Sequence, residues 1–309
     1  MGSRMLPGVR LVPRGEGEDV MTAGHGPLIG GRRLRAELRR LRESARLTQD
    51  QVADEMDWSL SKLIRIEAGA VGISQNDLKA LLHLYHVADD ARVEDMLTLA
   101  RAARQKMWWD GYRDIINKQF SAFVGFESEA SVIKTFQLLI VPGLLQTEDY
   151  ARTVIRHMAF STVTEKEIDR HVQLRMERKE RLLQGETAPR LFVVIDESIL
   201  RRAVGGADVL SRQLDFLVEA ASLPSVVLQV LPHSTGIFPG MAVSFTLMEF
   251  SEEDEEPALF VEGPNARITD DPAERRPANY QAAFNTLSQR SLGQSESIAL
   301  IKKIAKEIS

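Results

Sequence analysis

Apolar positions along the chain fall into two regimes. From Leu34 to about Met107 they recur every three or four residues, the spacing of one face of a helix. Leu34, Leu38 and Leu41 make one stripe, and Val52, Ala53 and Met56 a second. Leu63 and Ile66 make a third, and Leu78, Leu81, Leu82 and Tyr85 a fourth. A longer helix from about Asp89 carries Met96, Leu97, Ala100 and Ala103 and reaches Trp108 and Trp109. The pattern predicts an all-α bundle of about five helices, with residues 28–88 as its body and a connecting helix over 89–110. After Gly111 the pattern changes. The runs Leu191–Ile195 and Val226–Leu231 are continuous and rich in β-branched residues, and they flank a helix over Ala207–Ala221 introduced by Gly205 and Gly206. Strand, helix, strand over this length predicts parallel strands joined by a right-handed crossover. Val243–Phe250 and Ala258–Val261 predict a hairpin, Val132–Val141 is a further candidate strand, and helices are expected at about 147–159, 164–184, 276–290 and 295–308. The fold class is therefore multidomain: a helical bundle, then an α+β domain with a mixed sheet over 111–309. Residues 1–27, rich in Gly, Pro and charge, have no apolar period and predict a disordered extension. Within it, Leu11-Val12-Pro13-Arg14-Gly15 looks like a protease-cleavage linker, which would make Met21 the alternative start.

The segment from Leu47 to Gly69 carries the most specific local chemistry. Thr48 is placed to cap one helix and Ser59 the next, with a short turn at Asp57 and Trp58 between them. Ala53 is small where two helices cross closely, Val52, Met56, Leu63 and Ile66 supply a shared core, and Gly69 suits the left-handed residue that ends the second helix. Nearly every framework position resembles the phage-repressor-like helix-turn-helix family. The resemblance implies that the second helix lies in the major groove of an operator duplex, with Leu60, Ser61 and Arg65 facing base edges. Arg65 has the fork that matches guanine, while Leu60 either touches a thymine methyl or packs. It also implies that Gln49, Ser59 and Lys62 hold phosphates, and that Arg42 and Glu67 form a structural ion pair.

Charge adds one constraint. The net charge is −5, so a chain that meets DNA must concentrate its positive charge locally. Arg32, Arg33, Arg35, Arg39, Arg40, Arg42 and Arg46 crowd into one predicted helix and its flanks, while acids pool at Glu252, Glu253, Asp254, Glu255 and Glu256. The absence of cysteine excludes disulfides and thiol catalysis. No apolar stretch approaches the roughly 20 residues of a membrane helix, and no signal peptide is evident, so a soluble, cytoplasmic, nucleoid-associated protein is expected.

The C-terminal region contains the phrases Val141-Pro-Gly-Leu-Leu-Gln-Thr-Glu-Asp-Tyr-Ala-Arg152, Ile195-Asp-Glu-Ser-Ile-Leu-Arg-Arg-Ala-Val-Gly205 and Leu228-Gln-Val-Leu-Pro232. Together with Phe245–Phe250 and the closing Leu287–Ile298, they resemble the actinobacterial antitoxin-like regulators, which join an XRE-type helix-turn-helix to an otherwise uncharacterised domain. That resemblance implies a transcription regulator acting as a homodimer on an operator, with a small toxin-like protein partner or a small-molecule effector. The alternative it leaves open is an interaction protein that mainly neutralises its partner and only autoregulates through DNA.

The same residues also have plain structural readings. Pro142-Gly143 makes a turn, Leu144 and Leu145 pack, and Thr147 caps a helix whose first turn holds Glu148 and Asp149. Asp196 and Glu197 lie at a strand end where ligands often bind, or else form a helix cap and a Glu197–Arg201 pair. The loop after Leu231, with His233, borders a pocket beside Asp196 or is only a long turn. The helix Arg170–Arg181 bears Arg175 and Arg178 among Glu177 and Glu180; mixed signs read as a solvated face, with a partner-binding face as the sharper alternative. The acidic loop is a solvated hairpin tip, or it repels DNA or docks a basic partner. The six histidines lack metal-ligand spacing, and there is neither a phosphate loop nor a nucleophile elbow. A Ser234–His233–Asp196 hydrolase can be drawn, but adjacent Ser and His side chains rarely aim at each other. No catalysis, cofactor or metal is expected.

Overall fold

A computed structural model describes residues 26–158, 163–185, 188–237, 241–251, 255–262, 267–268 and 277–308. The described chain forms two compact units that meet in sequence at Asp110 and Gly111.

The N-terminal unit is a bundle of five helices: α1 (Pro27–Ser44), α2 (Gln49–Glu55), α3 (Leu60–Glu67), α4 (Gln75–Leu84) and α5 (Asp90–Ala102). Each of the last four starts at a side-chain cap that satisfies an orphan N–H: Thr48, Ser59, Ser74 and Asp89. Thr48 and Gln51 complete a reciprocal capping box. Leu38, Val52, Leu63, Ile66, Leu78, Leu81 and Met96 from all five helices are almost wholly buried in one core. The extension expected over residues 1–27 is corrected at its end. Pro27 is already the first helical residue, where its missing N–H costs nothing, and Ile29, Gly30 and Gly31 are buried. Residues 1–25 lie outside the described residues. The helix expected to connect the domains is shorter than its apolar pattern and packs along α1 within the bundle.

The C-terminal unit runs α6 (Lys118–Glu129), β1 (Val132–Gln137), α7 (Glu148–Met158), α8 (Glu165–Gln184), β2 (Arg190–Asp196), α9 (Glu197–Arg201), α10 (Ala207–Ala220), β3 (Val226–Leu231), β4 (Phe245–Glu249), β5 (Ala258–Val261), β6 (Arg267–Ile268), α11 (Pro277–Arg290) and α12 (Gln294–Ile308). The described strands make a mixed sheet in the order β3-β2-β1-β4-β5-β6. β1, β2 and β3 are parallel, while β4, β5 and β6 pair antiparallel. Helix α10 spans the connection from β2 to β3, entered through Gly205 and Gly206, both at positive φ. One sheet face packs Phe136, Val194, Phe245, Leu247 and Leu259 against Phe284 and Leu287 of α11. The pattern of the sequence did not predict α6. Its buried positions are Phe123, Val124, Gly125 and Glu127, and a glycine and a glutamate interrupt the apolar stripe. No described helix is long and apolar enough to cross a membrane.

Candidate nucleic-acid interface

Helix α3 is held from beneath and from its C-terminal end. Leu63 and Ile66 enter the core at 1% and 2% exposure, and Glu67 is buried at 5%. The Glu67 carboxylate accepts from Arg42 Nε at 2.7 Å and Nη2 at 3.2 Å, and from Gln49 Nε2 at 2.8 Å. Its backbone carbonyl, one of the last in the helix, accepts from Arg39 Nη2 at 3.2 Å. Glu67 therefore joins α1, α2 and α3 through one carboxylate. Gly69 ends the motif at φ +75°, a conformation that favours glycine, and a Cβ there would lie 2.7 Å from Arg35 Nε, so a side chain would also have to displace the Arg35 head group.

The opposite face of α3 is open. Ser61 and Arg65 are exposed, and Leu60 and Ile64 project apolar surface at 36% and 43% exposure. Arg65 Nε donates to the Ser61 carbonyl at 3.2 Å, which lays the guanidinium along the helix next to Ser61. Ile64 was not singled out from the sequence, because a β-branched residue beside Leu63 reads as core. The helical period instead places it one position outside the buried stripe.

The residues expected at phosphates divide. Ser59 is exposed and caps α3 by accepting from the Lys62 N–H at 3.3 Å. Gln49 is half-buried with its amide nitrogen turned to Glu67. Lys62 lies 3.3 Å from Asp77 Oδ2 and 3.7 Å from the Trp58 ring centroid, so its ammonium already has two partners inside the unit. The arginine-rich helix is also less of a bare positive face than its density implies. Arg42 and Arg39 serve Glu67, Arg40 pairs with Glu37 at 2.8 Å, and Arg35 is partly buried beside Gly69, its pKa lowered by burial and then by Arg32 and Arg39.

Glu37 links α1 to α5, accepting from Arg40 at 2.8 and 2.9 Å and from Arg92 Nε at 3.1 Å. The Arg40 hydrogen bond, followed by that of Arg92, depresses its pKa from 4.5 to about 2. A depressed carboxylate stabilises the folded state above its unfolded pKa and loses that contribution as pH falls through the folded value. The contribution is therefore present above pH 4.5 and lost towards pH 2. Glu37→Gln should flatten the acid limb of the bundle's stability across this window, as read by urea melts at stepped pH. An unchanged acid limb would contradict the assignment.

In the C-terminal unit the sequence-predicted residues form two separate groups. Asp196, Glu197 and His233 come together at the ends of β2 and β3, with His233 Nε2 3.8 Å from Asp196 Oδ1 and Nδ1 3.9 Å from Glu197 Oε2. Asp196 caps α9 by accepting from the Ser198 N–H at 2.9 Å, and Glu197 takes the His233 N–H at 3.1 Å and Arg201 at 3.5 Å. Arg175 and Arg178 are not part of this group. Arg178 is 5% exposed and donates twice, at 2.8 Å each, to the buried Glu127 of α6, and Arg175 donates to Gln146 Oε1. The solvated face expected for this stretch of α8 is thus corrected: Arg178 belongs to a buried ion pair, flanked by the Phe120 and Phe123 rings. Residues 252–254 of the acidic loop lie outside the described residues. Among the described residues no cluster of His, Asp and Glu supplies a metal's ligand set.

A family model described as a helix-turn-helix domain matches residues 33–96, and one described as a domain of unknown function, DUF5753, matches residues 120–303. No curated protein and no solved structure matches the chain.

Proposed function

Because the chain belongs to the DUF5753 family and joins that domain to a helix-turn-helix domain, we propose that it is a sequence-specific DNA-binding transcription regulator whose α3 enters the major groove. The observation that carries this is the two-sidedness of α3. Leu63, Ile66 and Glu67 anchor it, while Leu60, Ser61, Ile64 and Arg65 stand outward within eight residues of helix. Arg65 supplies a fork for a guanine, Ser61 a hydroxyl for a base edge, and Leu60 and Ile64 apolar contact for thymine methyls. Ser59 and Gln49 hold the flanking phosphates. Lys62 joins them only by exchanging Asp77 for a phosphate.

The finer reading is a homodimer on a two-fold operator, its half-sites about 34–36 Å apart. Its C-terminal unit senses a small protein partner or a small-molecule effector, which shifts the dimer between states of different operator affinity. The sequence resemblance supports an antitoxin-like role with a toxin-like partner. We assign the protein no catalytic reaction.

An operator selected from a random duplex library provides the test. Arg65→Ala should weaken operator binding by about 1–3 kcal/mol, with little effect on unrelated DNA. Lys62→Ala should weaken both duplexes alike and flatten the salt dependence. Equal losses on both duplexes for Arg65→Ala would overturn its assignment as a base reader.

A further inference from the structure

The two faces of the sheet differ in a way that packing alone does not require. One face is the apolar core described above. On the other, β1 and β4 present Thr135, Gln137 and Thr246 beside Ile133, all at least 95% buried. Their polar groups bond to one another: Thr135 and Thr246 hydroxyls are 3.0 Å apart, and Gln137 Nε2 donates to Thr135 at 3.3 Å and to Glu262 Oε1 at 2.7 Å. Apolar side chains would cover such a face at less cost, since buried polar groups need partners merely to break even. The polar residues, with Glu127 and Arg178, wall a cavity of about 50 Å³. That exceeds the roughly 10–15 Å³ one water requires, so the space has room for a small molecule or several waters.

The charges around this space are unevenly satisfied. Glu127 and Arg178 neutralise each other through two hydrogen bonds. Glu262 receives a neutral amide, that of Gln137, and burial raises its pKa. Arg175 donates to another neutral amide, that of Gln146, and burial followed by repulsion from Arg178 pushes its pKa down to about 10. Arg175 and Glu262 make no ion pair with each other among the described residues, although each feels the other's charge. Arg175 does not itself line the cavity but stands beside Gly143, which does: a Cβ on that glycine would lie 3.8 Å from Arg178 Nη1 and 3.9 Å from Arg175 Nε.

We propose that this cavity is a binding site for a small zwitterion of the α-amino-acid class, with its ammonium on Glu262 and its carboxylate towards Arg175. Such a ligand brings each of these half-buried charges the opposite charge it lacks, through charge-assisted hydrogen bonds, while Gln137 and Gln146 hold the two side chains in place. The proposal gives the sensing role of the C-terminal unit a location, and it rests on that reading only for its regulatory meaning.

The full-length protein should be titrated calorimetrically, without DNA, against each standard α-amino acid, with acetate and methylammonium as single-charge controls. At least one amino acid should bind while neither control does. Glu262→Gln should weaken that binding about tenfold or more, the loss of one charged hydrogen bond. Gly143→Ala, whose added methyl meets its neighbours at ordinary contact distance, should weaken it as well while leaving the melting temperature near that of the parent. No binding of any amino acid at millimolar concentration would overturn the proposal. So would binding that survives both substitutions unchanged. If Glu262→Gln does not fold, Gly143→Ala alone decides. Because the readout contains no DNA, failure here is separable from failure of the operator reading.

Discussion

Glu127→Ala should destabilise the C-terminal unit by about 3–5 kcal/mol, the usual cost of leaving one partner of a buried ion pair without the other. Both side chains are at most 5% exposed, and Arg178 would lose the carboxylate that accepts its two 2.8 Å hydrogen bonds, with only the small cavity beside it to supply a replacement. At about 2–4 °C per kcal/mol for a unit of this size, the calorimetric midpoint should fall by roughly 10 °C. The double substitution Glu127→Leu with Arg178→Met removes both charges beside the Phe120 and Phe123 rings, so it should recover most of the loss. A loss under 1 kcal/mol for Glu127→Ala would show that water in the adjoining cavity replaces the carboxylate and that the pair contributes little.

Glu67→Ala is the corresponding experiment in the bundle, and it should cost about 3 kcal/mol. The pair is slightly more open, with the Arg42 side chain at 12% exposure and Glu67 at 5%, which places the effect at the lower end of the range. One substitution removes the acceptor for Arg42 and Gln49 together, so α3 loses its carboxylate ties to α1 and α2 and keeps only the Arg39 bond to its backbone and the apolar core. Binding to operator and to unrelated DNA should both weaken, unlike the operator-selective loss expected for Arg65→Ala, because positioning rather than reading is lost. Glu67→Gln keeps one acceptor oxygen and should lie between parent and alanine. Chemical denaturation of the three proteins checks the order. Equal stability of all three would remove Glu67 from its place as the bundle's junction.

These two carboxylates show what a sequence reveals and what it conceals. The helix-turn-helix framework was legible because its signals are local. Thr48 and Ser59 precede their helices, Gly69 follows one, and the apolar stripes repeat within a few residues. The strand–helix–strand unit after Gly111 was legible for the same reason: β2, α10 and β3 each carry a strong run or period. The Arg42–Glu67 pair spans 25 residues and was expected only from the resemblance to a known framework. Glu127 and Arg178 lie 51 residues apart with no such guide. The interleaved Arg175, Glu177, Arg178 and Glu180 read as solvated, since nothing local says which charge finds a distant partner. The same long-range information assigns α1's arginines: Arg39, Arg40 and Arg42 look alike along the chain, but in the folded unit each has a specific carbonyl or carboxylate to serve. Helix α6 was missed because Glu127 occupies a core position and breaks the stripe that would have marked it.

The chain contains no cysteine, so a single Ser61→Cys substitution carries a thiol with no background, and this allows the most direct test of α3 as the reading helix. The measurement is disulfide cross-linking of this variant to a selected operator whose bases bear thiol tethers in the major groove, beside an Asp95→Cys control on α5. Cross-linking from position 61 to a defined base in each half-site, with none from position 95, is the predicted result. Cross-linking that is absent at 61, or equal from both positions and spread over all tethered bases, would contradict a major-groove role for α3.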